Sequence, residues 1–316
     1  VQMLKAGSCD VALAIGAEKM NITDKARMFS VFDGAWDLSE PDANLARLLA
    51  PAKDFVVPEG HESDRPYSVF MSVYAAFARA HMHKYGTTQR QIAAVSAKNH
   101  QHSTHNPLSQ FQQAYSIEEV LNAPPITYPL TLPMCAPISD GAAAVIVCNE
   151  DGLKRIGSDK NRAIKVLATV TRSATDRSYS NPELHCAHLC AMEAYEQAGV
   201  GPQDMDVSEV HDATAMGEIL HAENLGLVPF GEAGPAAERG DFSIGGRIPI
   251  NTSGGLESKG HPLGATGLGQ LHELVTQLRG EAGVRQVEGA RHAVHENSGG
   301  LVGIEEGAVA VNILAK

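Results

Sequence analysis

Apolar positions along the chain alternate between two periods. From Tyr67 to Tyr85 the residues Val69, Phe70, Val73, Tyr74 and Phe77 recur at helical spacing, and the run stops at Gly86. Thr87 or Thr88 then caps a second helix reaching about His102. Further helices are predicted over 182–199, opened by Pro182 and closed by Gly199, over 214–224 and over 266–279. Short β-branched or small-residue runs predict strands at Asp10–Gly16, Asp140–Cys148, Ile164–Thr171, Asp206–Val210, Arg291–Val294 and Ala308–Ile313. Residues 20–65 carry scattered Pro, Asp and Gly with weak periodicity and read as loops with short helices. Strands alternating with helices predict an α/β fold in which helices cover a mixed sheet. The charged stretch over 150–162 marks the boundary between two halves.

The opening "VQMLKAG" reads as the last turns of a helix stopped at Gly7, so the natural protein is expected to continue upstream of Val1. Composition narrows the class: 316 residues, 43% hydrophobic and 20% charged, suit a soluble globular protein with room for two domains. No apolar run approaches the ~18 residues of a membrane span. The five cysteines, at 9, 135, 148, 186 and 190, are odd in number and irregularly spaced, which predicts free thiols in a reducing cytoplasm. A formal charge of −12 argues against nucleic acid or an anionic membrane as the main partner.

The densest candidate chemistry is "NTSGGLESKGHPLGATG", 251–267. Its glycines permit close backbone approach, Pro262 stiffens the turn after His261, and the following helix points its positive end at the loop. His261 is therefore placed to donate to an oxyanion or to deprotonate a nucleophile, and a structural histidine in a tight turn fits equally well. "HCAHLC" (185–190) looks metal-like, yet its apolar neighbours predict a buried helix without zinc. His100, His102 and His105 read as a helix-end cluster near a substrate entrance, and Tyr67, Phe70 and Tyr74 as core.

The stretch "GGLESKGHPLGATG" resembles the active-site loop of thiolases, and the resemblance continues through "KNHQHSTHNPLSQFQQAYSIEEVL", "SDGAAAVIV", "HDAT" and "QLRGEAGVRQVEGA". It covers nearly all of the chain and is closest to the thiolase domain of sterol carrier protein X, with benzoylsuccinyl-CoA thiolases and steroid side-chain enzymes as further relatives. The resemblance implies a five-layered αβαβα sandwich of two similar halves: residues 1–155, with an inserted loop region at about 20–135, and 156–316. It implies Claisen chemistry on coenzyme A thioesters, with coenzyme A as substrate and no permanently bound cofactor or metal. The acyl group rides on a cysteine expected upstream of Val1. His261 matches the histidine that activates that cysteine and lines an oxyanion hole; His211 matches the residue that binds the thioester oxygen. Gly299, then Gly300, match a backbone oxyanion donor, and Ser253, Gly260, Asn297 and Gly300 fall in the substrate-binding loops.

Two departures stand out. Ala213 replaces an acid/base cysteine, and the last loop, "ENSGG" at 296–300, holds no cysteine either, so no visible thiol remains to move the α-proton. Glu296 is the expected replacement, since alternation along the preceding strand turns 294 and 296 to one face and His295 to the other; a salt-bridging or capping Glu296 is the plain alternative, with His295 the next candidate. Glu305 and Glu306 are expected in solvent. The resemblance further implies a homodimer, a small partner combining a zinc ribbon with an OB-fold, and an aromatic or steroid acyl group handled in the degradative direction. A retro-aldol lyase acting on a CoA thioester and a non-catalytic acyl-CoA-binding subunit are the alternatives.

Overall fold

In a computed structural model, which describes residues 1–157 and 159–316, eight strands form three sheets. β1 (Val11–Lys19), β2 (Pro125–Thr127), β3 (Leu130–Thr131), β4 (Asp140–Cys148), β5 (Lys165–Ser173), β6 (Val207–Glu209), β7 (His292–Gly299) and β8 (Ala308–Ala315) follow in chain order. β1 pairs antiparallel with β4, and β2 with β3. The larger sheet runs β5-β8-β7-β6; only β6 and β7 are parallel within it.

Stacking follows from which faces are apolar. The helix Cys186–Ala198 buries Cys186, Cys190, Ala191 and Ala194 against β5 and β8. On the opposite face the helix Thr266–Arg279 seats Leu274 and Leu278 on Val207, Ala293 and Leu314. Its other side meets β4 and β1, so the order is helix, sheet, helix, sheet. Alternation along β7 works as expected. Val294 joins the main core and Ala293 the smaller one, while His295 turns to Gln270 on the middle helix, Nε2 to Oε1 3.1 Å.

The helix Val69–Tyr85 is capped by Ser68 and ends on Gly86; the helix Gln89–Ser103 starts with a capping box of Thr88 and Gln91. The second packs on Ala215–Asn224, on Ala233–Arg239 and on the turn Gly255–Lys259 that precedes His261. Two expectations shift. β7 runs on to Gly299 instead of stopping at Val294, because ladder pairing with β8 continues through Ser298↔Val309 and Gly299↔Ala308. Glu296, Asn297 and Ser298 are thus strand residues, not loop. Glu150–Ile156, within the stretch read as a boundary, is a short helix capped by Asn149. No helix among the described residues is long and apolar enough to cross a membrane.

Candidate active site

The site forms where the end of β6 meets the glycine-rich stretch. Asn251, held at φ 54°, accepts the Val210 N–H on Oδ1 (2.9 Å), gives its own N–H to Ser208 O (2.9 Å) and donates from Nδ2 to Glu218 Oε2 (2.8 Å). Asp212 accepts the Leu256 N–H at 2.8 Å, fastening the next residues to the same loop. Farther along, His261 bridges to Ile138 and donates its N–H to Ser139 Oγ at 2.9 Å. Gly260 supplies the required φ of 110°, and a Cβ there would meet Ser139 Oγ at 2.9 Å.

These ties set the rings of His211 and His261 face to edge, with centroids 5.1 Å apart at 69°. Both are neutral: burial pushes His211 down to about 4, and burial, then His211 and Lys259, hold His261 well below the usual imidazole range. His261 Nδ1 lies 2.7 Å from Thr266 Oγ1, which also lies 3.0 Å from Pro262 O. Assigning the single hydroxyl proton to Pro262 O makes Nδ1 the donor and leaves a lone pair on Nε2. That is the form that can take a proton from a thiol.

Both rings line a cavity of about 870 Å³. Much of its wall is aromatic, with Phe29, Phe32, Phe70, Phe111 and Tyr115. Tyr67, Phe70 and Tyr74, expected as core rather than pocket, line this cavity, Tyr67 from just ahead of the helix Val69–Tyr85 and the other two from its first turns; Tyr74 also joins the core. His100 faces the cavity as well, whereas His102 is buried between Asn251 O (3.1 Å) and the Ile244 N–H (3.1 Å) and is structural.

Carboxyls crowd the wall behind His211. Glu296 is buried, its Oε2 accepting the His211 N–H at 2.9 Å, its Oε1 without a hydrogen-bond partner. Burial, and secondarily Glu306, push its carboxyl up to about 8. Glu305 and Glu306, expected in solvent, are 0% and 2% exposed, since the turn 300–307 closes on itself and turns both carboxyls inward onto Arg177, His185 and His221. Glu305 accepts from Arg177 and Thr175, and Glu306 lines the cavity. His221 stands between the acids, Nδ1 3.5 Å from Glu296 Oε2 and Nε2 3.7 Å from Glu306 Oε1. Ser298 Oγ lies 3.4 Å from His221 Nε2 and 3.5 Å from His211 Nδ1.

Of the sequence-derived candidates, His211, His261, Asn297, Gly299 and Gly300 meet on this cavity. Glu296 sits behind its wall, and Ser253 and Gly260 line a different cavity. Ser253 is engaged with Glu209, Oγ to Oε2 2.7 Å. Sequence reading missed three groups here. Glu306 and His221 gave no signal, being single residues in an acidic turn and on a helix. Cys135 bridges to Thr214, and Ala136 donates its N–H to Ala213 O at 3.0 Å, so a thiol lies on the cavity wall beside Ala213 after all. Burial and then Glu257 push that thiol far up, which makes it a poor base. His185, Cys186 and Glu305 come together as metal-type ligands, but the Arg177 guanidinium already neutralises Glu305.

The architecture matches that of the solved Ltp2-ChsH2(DUF35) aldolase, at TM-score 0.75 over 99% of this chain and 74% of that one, with 23% identity. Solved human mitochondrial 3-ketoacyl-CoA thiolase shares it at TM-score 0.59 over 100% of this chain and 74% of that one, with 17% identity, so the fold is the thiolase fold. The model for the thiolase C-terminal domain-like family matches residues 168–312. The acetyl-CoA acetyltransferase of Methanothermobacter thermautotrophicus is 37% identical over 319 residues, covering 100% of this chain and 75% of that one. This chain belongs to the thiolase superfamily. Sterol carrier protein 2 of Oryctolagus cuniculus is 39% identical over 305 residues, 94% of this chain and 53% of that one, so the chain spans about half of that protein. The benzoylsuccinyl-CoA thiolase subunit BbsB of Thauera aromatica is 37% identical over 225 residues, 70% of this chain and 57% of that one.

Proposed function

We propose that the protein is a thiolase-type acyltransferase that cleaves or forms a β-ketoacyl-CoA by Claisen chemistry, with coenzyme A as substrate and product. The observation that carries this reading is the facing pair of neutral imidazoles, His211 and His261, over an apolar cavity with protonatable carboxyls behind. In cleavage, a thiol adds to the β-ketone; His261 Nε2 takes its proton, and the alkoxide is met by backbone donors such as the Gly299 N–H. Collapse breaks the C–C bond and leaves the enolate of an acyl-CoA, whose oxygen faces His211. A carboxyl on the Glu296 side returns the proton to carbon.

None of the five cysteines suits the acyl-carrying role. Cys186 and Cys190 are sealed in a helix, Cys9 and Cys148 belong to the β1–β4 region, and Cys135 is held protonated. The reading assigns that role to a cysteine outside these residues. The aromatic wall supports an aromatic or steroid-sized acyl group in the degradative direction, as does similarity to a benzoylsuccinyl-CoA thiolase subunit. The word subunit in that name and the paired name Ltp2-ChsH2(DUF35) support a second protein beside this chain. The free thiols support a cytoplasmic setting.

A retro-aldol lyase is the second reading, favoured by the fold shared with the solved Ltp2-ChsH2(DUF35) aldolase, and that reaction needs no thiolate. Full-length protein with 3-oxo-3-phenylpropanoyl-CoA and free coenzyme A is expected to yield benzoyl-CoA and acetyl-CoA. Cleavage of the 3-hydroxy analogue without coenzyme A would establish the lyase instead, and no cleavage of either would leave only an acyl-CoA-binding subunit.

A further inference from the structure

We propose that Glu306 is the group that exchanges the α-proton with bound acyl-CoA, and that His221 joins it to Glu296, which acts as a positioning and proton-holding residue behind the wall. This rests on the acyl-CoA reading above and names the base which that reading leaves open between neighbouring acids.

Placement separates the two carboxyls. Glu306 lines the cavity together with His211, Ser298 and Gly299, whereas Glu296 does not. Glu296 Oε2 is spent on the His211 N–H, and Oε1 is sealed in the wall. Glu306 Oε2 is sealed as well, which leaves Glu306 Oε1 as the carboxyl oxygen open to a substrate carbon held under His211. His221 is fully buried, with one ring nitrogen toward each acid. Its gaps of 3.5 and 3.7 Å close to hydrogen-bond range with a shift of roughly half an ångström. An imidazole so placed accepts a proton on one nitrogen and releases one from the other.

Every charged or titratable group near Glu306 fits exchange at neutral pH. Glu305 beside it takes the Arg177 guanidinium, so Glu306 is not pinned as a permanent carboxylate. His185 Nε2, ahead of the helix Cys186–Ala198, lies 3.3 Å from Glu306 Oε2. His221 faces it from the helix Ala215–Asn224, Glu296 from β7 and the Tyr74 phenol from the helix Val69–Tyr85. Burial, then Glu305, pushes Glu306 up to about 7 against the partial pull of Arg177. The Glu306 carboxylate, once formed, raises Glu296 further, so Glu306 gives up its proton first.

The step balances. In condensation the Glu306 carboxylate takes the proton from the α-carbon, the C–H pair becomes the enolate double bond, and the oxygen charge is met at His211. In cleavage the pair freed from the C–C bond takes the proton from the Glu306 carboxyl. The proton that His261 takes from the attacking thiol is released to solvent, from which the Glu306 carboxylate regains one, so the net movement is from sulfur to carbon.

The test is deuterium uptake at the α-carbon of 3-phenylpropanoyl-CoA in D2O, read by mass spectrometry on the full chain. Glu306→Gln is expected to lower the rate by about 10²-fold or more, with the melting temperature and coenzyme A binding kept. Glu296→Gln is expected to retain exchange with its rise near pH 7, because Glu296, held up to about 8, is still protonated where Glu306 titrates, and to lose the further change near pH 8 that Glu296 ionisation adds in wild type. Should Glu306→Gln not fold, Glu306→Asp decides: a slower rate with the same pH inflection supports the assignment, and an unchanged rate overturns it. A folded Glu306→Gln exchanging at the wild-type rate overturns it, as does loss of exchange in Glu296→Gln alone. Wild-type protein that exchanges no α-proton overturns the acyl-CoA reading and this proposal together.

Discussion

The turn Lys259–Pro262 presents His261 to one cavity and Lys259, Gly260 and Pro262 to another. The second, about 640 Å³, is walled by Gly141, Ala142, Ala143, Ala144 and Gly269, and its charges are paired. Arg285 Nη2 meets Glu273 Oε2 at 2.9 Å, Thr252 donates to Glu273 at 3.1 Å, and Lys259 Nζ, though without a hydrogen bond, lies 3.7 Å from Glu209. Around the first cavity, His100 Nδ1, Glu257 Oε2 and Glu306 Oε2 have no hydrogen-bond partner, and neither do His221 Nδ1 and Glu296 Oε1 just behind. Leaving such atoms unpaired costs about 1–3 kcal/mol each. A fold carries that cost where the groups must change protonation or meet a ligand. The contrast assigns chemistry to the aromatic cavity and a supporting role to the other.

The largest break in this contrast is expected from His261→Ala, with kcat in the cleavage assay falling by roughly 10²-fold or more. An unchanged kcat would remove His261 from the chemistry. Next comes Gly16→Ala. A Cβ on Gly16 of β1 would lie 2.0 Å from Gly264 O, so the His261 loop or the strand must shift. Denaturant titration is expected to show a loss of about 1–3 kcal/mol, accompanied by lower activity.

Glu296→Gln gives a smaller effect with a distinctive sign. The Glu296 carboxyl rises from 4.5 to about 8 on folding. Its stabilising neutral form is therefore fully favourable below 4.5 and loses ground as pH climbs toward 8. The variant should melt with wild type at pH 4 and above it at pH 8, and a gain confined to low pH would refute the shift. Least affected should be Ser253→Ala, in the supporting cavity. It removes one hydrogen bond to buried Glu209, worth about 1 kcal/mol, with kcat little changed. A large fall in kcat there would erase the distinction between the cavities.

The pairing of His211 with His261 was legible through the resemblance to thiolases, whose motifs the two loops carry, and the middle helix Thr266–Arg279 was read to the residue. What escaped depends on contacts between distant segments. Nothing local tells that the turn 300–307 folds inward and buries Glu306, or that Cys135 comes to rest beside Ala213. Alternation told correctly that Glu296 and His295 face opposite ways. It could not tell that the His211 backbone stands between Glu296 and the cavity. Tyr67, Phe70 and Tyr74 show a similar limit, because helical spacing marks a buried face without distinguishing core from pocket.

A crystal structure of the full chain with the ketone analogue of 3-phenylpropanoyl-CoA, sulfur replaced by methylene, separates the two cavities directly. The carbonyl oxygen is expected within about 3.2 Å of a His211 ring nitrogen, the α-carbon facing Glu306 and the phenyl ring lying among Phe70 and Phe111. An acyl chain seated instead along Gly141–Ala144, with the His211 and His261 rings untouched, would contradict the assignment of acyl-CoA chemistry to the aromatic cavity.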